Sequence, residues 1–178
     1  MQLTGYHATT ISNYEEIVEH GFKLGKGLRG TGVYFWEDNC GYGISLSTGW
    51  YGFCNRKKAY DYCENKAIAV IQGFFEPANE YSFLNIDDRR KRENIFQLAK
   101  SRKMDMHDRD GLYALYDLFF CQLESLIGHR LQVIETPVNT FGTRDTDFPY
   151  QVLGQPYCYL VRDSHIIRIK LYEGDDSG

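Results

Sequence analysis

Hydrophobic and polar positions alternate in short runs scattered along the whole chain, with helical spacing between them. Residues 2–8 read as a short strand. Ser12 or Asn13 is placed to cap a helix running to about His20, with Glu15 and Glu16 near its positive end. Gly21 then closes that helix by accepting a left-handed conformation. Gly25 to Gly32 forms a glycine-rich, basic loop ahead of a strand at Val33–Trp36. Residues 39–55 intersperse Gly41, Gly43, Gly49 and Gly52 among aromatics, which predicts a long surface loop. A helix around Arg56–Asn65 leads to the apolar strand Ala67–Phe75, a turn at Pro77 and Asn79, and a short strand at Tyr81–Ile86. A helical hairpin follows over about Asp88 to Met104 and Gly111 to Ile127. In its second helix Leu112, Leu115, Phe119, Leu123 and Leu126 fall near one face. Leu131–Ile134 predicts a strand, residues 136–157 a second long loop, and Tyr159–Val161 and Ile166–Leu171 the final strands. Glu173–Gly178 reads as a frayed tail.

This order of elements predicts an α+β fold, because short strands spread along the chain do not build a regular doubly wound parallel sheet. With 178 residues, no internal repeat and no Pro/Ser-rich linker, residues 1–178 read as a single domain.

Composition adds two constraints. The chain carries 14 Tyr, 11 Phe and 2 Trp, residues that stabilise cores and also stack on planar nucleotide rings. Its net charge of −4 disfavours a protein that grips duplex nucleic acid mainly through phosphates, so any basic contact surface is local. Arg89-Arg90-Lys91-Arg92, with Lys100, Arg102 and Lys103, is most simply a solvated helix face. The five cysteines Cys40, Cys54, Cys63, Cys121 and Cys158 are odd in number and lack CxxC spacing, which argues against a disulfide framework or a structural zinc site. The scattered His residues give no metal-ligand spacing and no nucleophilic triad. Nothing at the N-terminus reads as a signal peptide and no apolar run approaches a membrane span, so a cytoplasmic protein without membrane or metal partners is expected.

The candidate chemistry begins at His7, at the end of the first strand and ahead of Ala8, Thr9 and Thr10. A lone His is more often structural. Here it is followed by a helix, a terminal glycine, a glycine-rich loop and then Gly32-Val33-Tyr34-Phe35. Tyr6-His7-Ala8-Thr9 resembles the first signature of ADP-ribosyltransferases of the poly(ADP-ribose) polymerase type, aromatic-His-Gly-Ser/Thr. Gly32-Val33-Tyr34-Phe35 resembles their second, Gly-hydrophobic-Tyr-Phe, in the expected order and distance. Residues 64–87 resemble the strand and turn that follow in bacterial members.

The resemblance implies a split β-sheet core flanked by helices and NAD as co-substrate. It implies that His7 holds the adenosine-side ribose and that main chain at Ala8 and Thr9 approaches the nicotinamide amide, with Ala8 in place of the usual Gly. Tyr34 would wall the nicotinamide slot and Gly32 would let the chain turn tightly against the ligand. The second stacking tyrosine would be Tyr62 or Tyr60. Arg29 and Lys26 could meet the pyrophosphate or be exposed loop charges.

The family's third element, a glutamate near the start of a late strand, aligns with Cys158 in this sequence. That departure leaves the base open between Glu135 and Gln155, with Gln151 or a carboxylate of the acceptor also able to serve. It fits the mono-transferring branch or members without activity, and Cys158 itself reads as a small buried residue. The acceptor loop would lie within 136–157, where Phe141, Arg144, Asp145, Asp147, Phe148, Tyr150 and Gln151 offer stacking and hydrogen bonding. The functional expectation is a mono-ADP-ribosyltransferase acting on a macromolecular acceptor, nucleic acid slightly ahead of protein. Resemblance to compact toxin domains suggests a bacterial toxin or defence effector with an antitoxin protein as a further partner. The alternative is a non-catalytic module of the same fold that binds NAD, ADP-ribose or an RNA end. An RNA 2'-phosphotransferase is a remote third reading, because the chain has no room for the basic N-terminal lobe.

Overall fold

Eight strands and five helices are spread along the described residues, 1–105, 107–138 and 147–174, of a computed structural model. The strands are β1 (Leu3–Thr10), β2 (Gly25–Gly27), β3 (Gly30–Glu37), β4 (Ile68–Phe75), β5 (Phe83–Asn85), β6 (Val133–Pro137), β7 (Tyr157–Val161) and β8 (Ile167–Leu171). The helices are α1 (Ile11–His20), α2 (Gly43–Arg56), α3 (Arg89–Ser101), α4 (Arg109–Ile127) and α5 (Tyr150–Leu153). The sheet order is β5-β6-β7-β3-β1-β4-β8, with β2 added to β3. Every pair is antiparallel except β5–β6. A parallel pair needs a long crossover, and the α3–α4 hairpin supplies it.

β1 pairs with β4 over its full length, from Leu3 opposite Phe75 to Thr10 opposite Ile68. Its pairing with β3 is limited to Gly5 opposite Glu37 and Tyr6 opposite Trp36. Beyond Tyr6 the two strands part. β3 continues along β7 to Val33 opposite Val161, while β1 stays with β4. The mixed α+β sheet is therefore split between β1 and β3, and His7 is the first residue in the gap.

Strand alternation sorts the side chains into two faces. Val33, Phe35, Val133, Tyr159 and Val161 pack with Leu3 and Phe75 on one side. Leu160 and Ile134 pack against Ile95, Ala99, Leu115 and Phe120 of α3 and α4 on the other. Trp36 and Cys158 share that second side with Leu46 of α2 and Phe148.

Several expectations change. Thr10, not Ser12 or Asn13, caps α1: its hydroxyl accepts the Asn13 N–H at 3.1 Å. The strand runs straight into the helix, so the last strand residue does the capping. Gly21 does close α1 with φ 77°, its N–H donating to the Ile17 carbonyl. The glycine-rich segment 25–32 is a hairpin, with Gly25 opposite Gly32 and Gly27 opposite Gly30.

Most of the predicted loop 39–55 is the helix α2, and the chain after Arg56 is turns rather than the expected helix. Glycine disfavours an isolated helix by about 1 kcal/mol per residue. Here the sheet reverses the outcome, since Leu46, Ser47, Gly43 and Gly49 are buried under α2. A Cβ on Gly43 would lie 2.5 Å from the Tyr6 ring and 2.9 Å from the Glu37 carbonyl, so a larger residue would lift the helix off the sheet. Within α4 the inward face is Leu115, Tyr116 and Phe120, with Phe119 and Leu123 packed beside them. Leu126 is 83% exposed and is not part of that face. Among the described residues no helix is long and apolar enough to cross a membrane.

Candidate functional site

The gap between β1 and β3 opens into a cleft of about 1350 Å³, above the roughly 300–1,000 Å³ usual for small-ligand sites. His7, Ala8 and Thr9 of β1 line one wall, Gly32 and Tyr34 of β3 the other, and Cys158 lies at the base. His7 sits at the junction. Its Nδ1 is 2.9 Å from the Tyr34 carbonyl oxygen. A carbonyl only accepts, so Nδ1 carries the proton and donates, and Nε2 of the neutral ring is left as an acceptor. Burial lowers the His7 pKa below its usual value, outweighing the opposing effect of that hydrogen bond. Phe22 and Phe35 contact the ring at 5.6 and 5.8 Å between centroids and fix its orientation.

Tyr34 is held at its hydroxyl, which donates to the Gly30 carbonyl and accepts from the Arg29 N–H, both at 3.0 Å. Burial raises its pKa, so it stays a neutral phenol. The hairpin is in turn gripped by α4: Asp117 accepts from the Thr31 N–H at 2.8 Å and from the Thr31 hydroxyl at 2.6 Å. Gly30 is required there, because its φ is 112° and a Cβ would sit 2.8 Å from Asp117 Oδ1. Arg29 donates to the Tyr116 hydroxyl at 3.0 Å and Lys26 to the Tyr113 hydroxyl at 3.2 Å, each cation also lying over its tyrosine ring. Two cations that line the cleft are thus held by α4. The exposed carboxylates Glu15, Glu16 and Glu19 of α1 also line the cleft.

Gly32 has another role than the one expected. Its φ is not positive, and a Cβ would meet Leu160 Cδ1 at 2.4 Å and the Val161 carbonyl at 2.7 Å. It lets β3 and β7 pack closely rather than letting the chain turn.

Of the two candidate second tyrosines, Tyr62 lines the cleft and is 74% exposed. Tyr60 is buried behind it, stacked on Tyr51 at 5.4 Å. Trp50 and Phe53 of α2 also line the cleft. They fall in the segment whose glycines predict a loop, although their i, i+3 spacing is a signal of a helix face.

The base candidates are not brought to the cleft. Glu135 lies opposite Tyr159 on β6, on the sheet face away from Tyr34 and Cys158, and accepts from the Asn85 amide. The two-residue side-chain period puts it there. Gln155 is exposed in the segment before β7 and does not line the cleft. Cys158 is buried, and burial raises its thiol pKa well above the usual value, so it is a neutral thiol.

In the expected acceptor region, Phe148 is buried in the α2 cluster with Tyr150 packed on it at 5.0 Å, so its ring is core. Gln151 is exposed on α5. Phe141, Arg144 and Asp145 lie outside the described residues. Among the described residues no group of His, Cys, Asp and Glu is arranged to hold a metal ion.

Glu135 instead belongs to an acidic group with Glu37 and Asp87. The Tyr159 hydroxyl donates to Glu37 at 3.2 Å and the Tyr157 hydroxyl to Asp87, pushing the Tyr157 pKa up to about 12. Burial first, then the mutual repulsion of Glu37 and Glu135, raises the Glu135 pKa. A carboxyl whose pKa is raised in the folded state destabilises the fold once pH passes its unfolded value near 4.3. Glu135→Gln is therefore expected to raise the melting temperature at pH 7.5 by roughly 1–2 °C, a small effect because the group is partly exposed. The difference from the parent should vanish near pH 4. Equal melting at both pH values would show that the repulsion is absent.

No protein-family profile matches the chain, and no curated protein matches it.

Proposed function

We propose that this chain binds NAD in the split between β1 and β3 and transfers its ADP-ribose, as a mono-ADP-ribosyltransferase with an ADP-ribosyltransferase-like split sheet. The observation that carries this reading is the hydrogen bond from His7 to the Tyr34 carbonyl, which joins the two sequence signatures across the gap. It leaves Nε2 of His7 to accept from a ribose hydroxyl. From His7 onward β1 has no β3 residue opposite it, so that stretch of backbone is open to pair with a carboxamide. Arg29 and Lys26, which line the cleft, suit a diphosphate. The acceptor's nucleophile would form a bond to the anomeric carbon as the bond to nicotinamide breaks, and the nucleophile's proton leaves to solvent or a base. We place such a chain in the cytoplasm, as a toxin or defence effector with an antitoxin partner, on its resemblance to compact toxin domains.

One observation favours the non-catalytic alternative. The base of the cleft holds the neutral Cys158 thiol, and the carboxylates lining the cleft among the described residues, Glu15, Glu16, Glu19 and Glu64, are all exposed. Incubating the chain with labelled NAD and separated cell protein, RNA and DNA tests both readings. Label in one macromolecular fraction supports transfer and names the acceptor class. NAD binding by calorimetry without nicotinamide release supports the binding module. Absence of NAD binding overturns transfer, and absence of ADP-ribose and RNA-end binding as well overturns the binding module.

A further inference from the structure

The α2 lip of the cleft carries a surface that NAD binding does not explain. Trp50 and Phe53 lie one turn apart, and their rings stack with centroids 5.5 Å apart and planes at 27°. Trp50 keeps 37% of its surface exposed although it lines the cleft. The helix ends in Arg56, and Lys57 and Lys58 follow, all three exposed. Lys57 Nζ sits 5.9 Å from the Phe53 ring centroid. In a chain of net charge −4, three consecutive cations beside stacked aromatic rings form a local exception.

We propose that this lip binds single-stranded nucleic acid and presents one unpaired nucleotide to the cleft. A ring face accepts any base by stacking, and an adjacent cation meets the phosphate that follows it. A duplex offers no exposed base face to Trp50. The surface lies on α2, not in the 136–157 segment where acceptor recognition is expected from sequence. As an acceptor surface it rests on the NAD reading; as a binding surface it does not.

The test is fluorescence anisotropy on the whole chain with a labelled single-stranded RNA of about 12 nucleotides, the same sequence as DNA, and its duplex. Salt is varied between about 50 and 200 mM. Single strands are expected to bind and the duplex to bind far more weakly; a gap between RNA and DNA shows whether the sugar is read. Lys57→Gln with Lys58→Asn is expected to reduce affinity about tenfold and to flatten the log–log salt slope by about 1.4, two contacts at about 0.7 each. Asn is chosen at Lys58 because its φ is 60°, a region Asn tolerates. Trp50→Ala is expected to reduce affinity similarly with the slope unchanged. If Trp50→Ala fails to fold, the exposed lysine pair still decides. No binding at the lowest salt, a duplex or polyglutamate bound as tightly as the single strand, or a slope unmoved by the lysine pair would overturn the proposal. NAD calorimetry in parallel separates the two ideas: strand binding without NAD binding retires the NAD reading and leaves this surface standing.

Discussion

Replacing His7 by alanine is expected to lower NAD turnover or transfer at least about a hundredfold in kcat/KM, equivalent to about 2.7 kcal/mol. The ring is the bridge between the two signatures, donating through Nδ1 to the Tyr34 carbonyl and offering Nε2 to the cleft. Alanine removes both contacts and leaves a gap between Phe22 and Phe35. Tyr34→Ala is expected to have a comparable effect, because the hydroxyl anchors the hairpin through Gly30 and Arg29. Intact activity in both variants would sink the site assignment, with a melting curve confirming that each has folded. The pH profile gives an independent check. Burial holds the His7 pKa below 6.5, so Nε2 is a free acceptor at neutral pH, and activity should decline only as pH falls through that lowered value. The same shift means that the folded state binds fewer protons here than the unfolded one. Its contribution to stability is complete above 6.5 and is lost as pH falls toward the folded value.

Gly32→Ala should be among the most destabilising single-methyl changes in the chain. The added carbon would lie 2.7 Å from a backbone oxygen of Val161 and 2.4 Å from Leu160, which is itself fully buried against Ile134 and Phe120. Backbone cannot rotate aside as a side-chain tip can, so β3 must separate from β7. Overpacking of this kind costs about 1–3 kcal/mol, which lowers the melting temperature by roughly 2–4 °C per kcal/mol in a chain of this size. Gly25→Ala is the control. Its nearest atom would be the Gly32 carbonyl at 3.9 Å, and the position does not need positive φ. Thermal melting should show a clear loss for the first and little change for the second. Equal melting would mean that the strands relax apart without penalty, and the close-packing role of Gly32 would be wrong.

The readable parts of this protein were those whose signal is local. β1, β4, β7, β8 and the α3–α4 hairpin follow from alternation and helical spacing carried by their own residues. His7, Ala8, Thr9, Arg29, Gly32, Tyr34 and Tyr62 were named from motifs, and the split brings all seven to one cleft. α2 was not readable, because its glycines argue against helix in isolation and only the sheet beneath Gly43 and Leu46 makes them favourable. The face that Glu135 takes was not readable for a related reason: its position ahead of the 136–157 loop does not say which side of β6 carries it, and it lies opposite Tyr159, outside the residues that line the cleft.

The sequence alone determined the α+β class, most of the strands and the pair of signatures, since each is written in periodicity or in adjacent residues. Tertiary structure decided which way each side chain faces, that the glycine-rich segment is a hairpin gripped by Asp117, and that aromatic rings of α2 wall the cleft. The grip of Asp117 and the seating of α2 on the sheet depend on contacts between residues tens of positions apart, which no local pattern encodes.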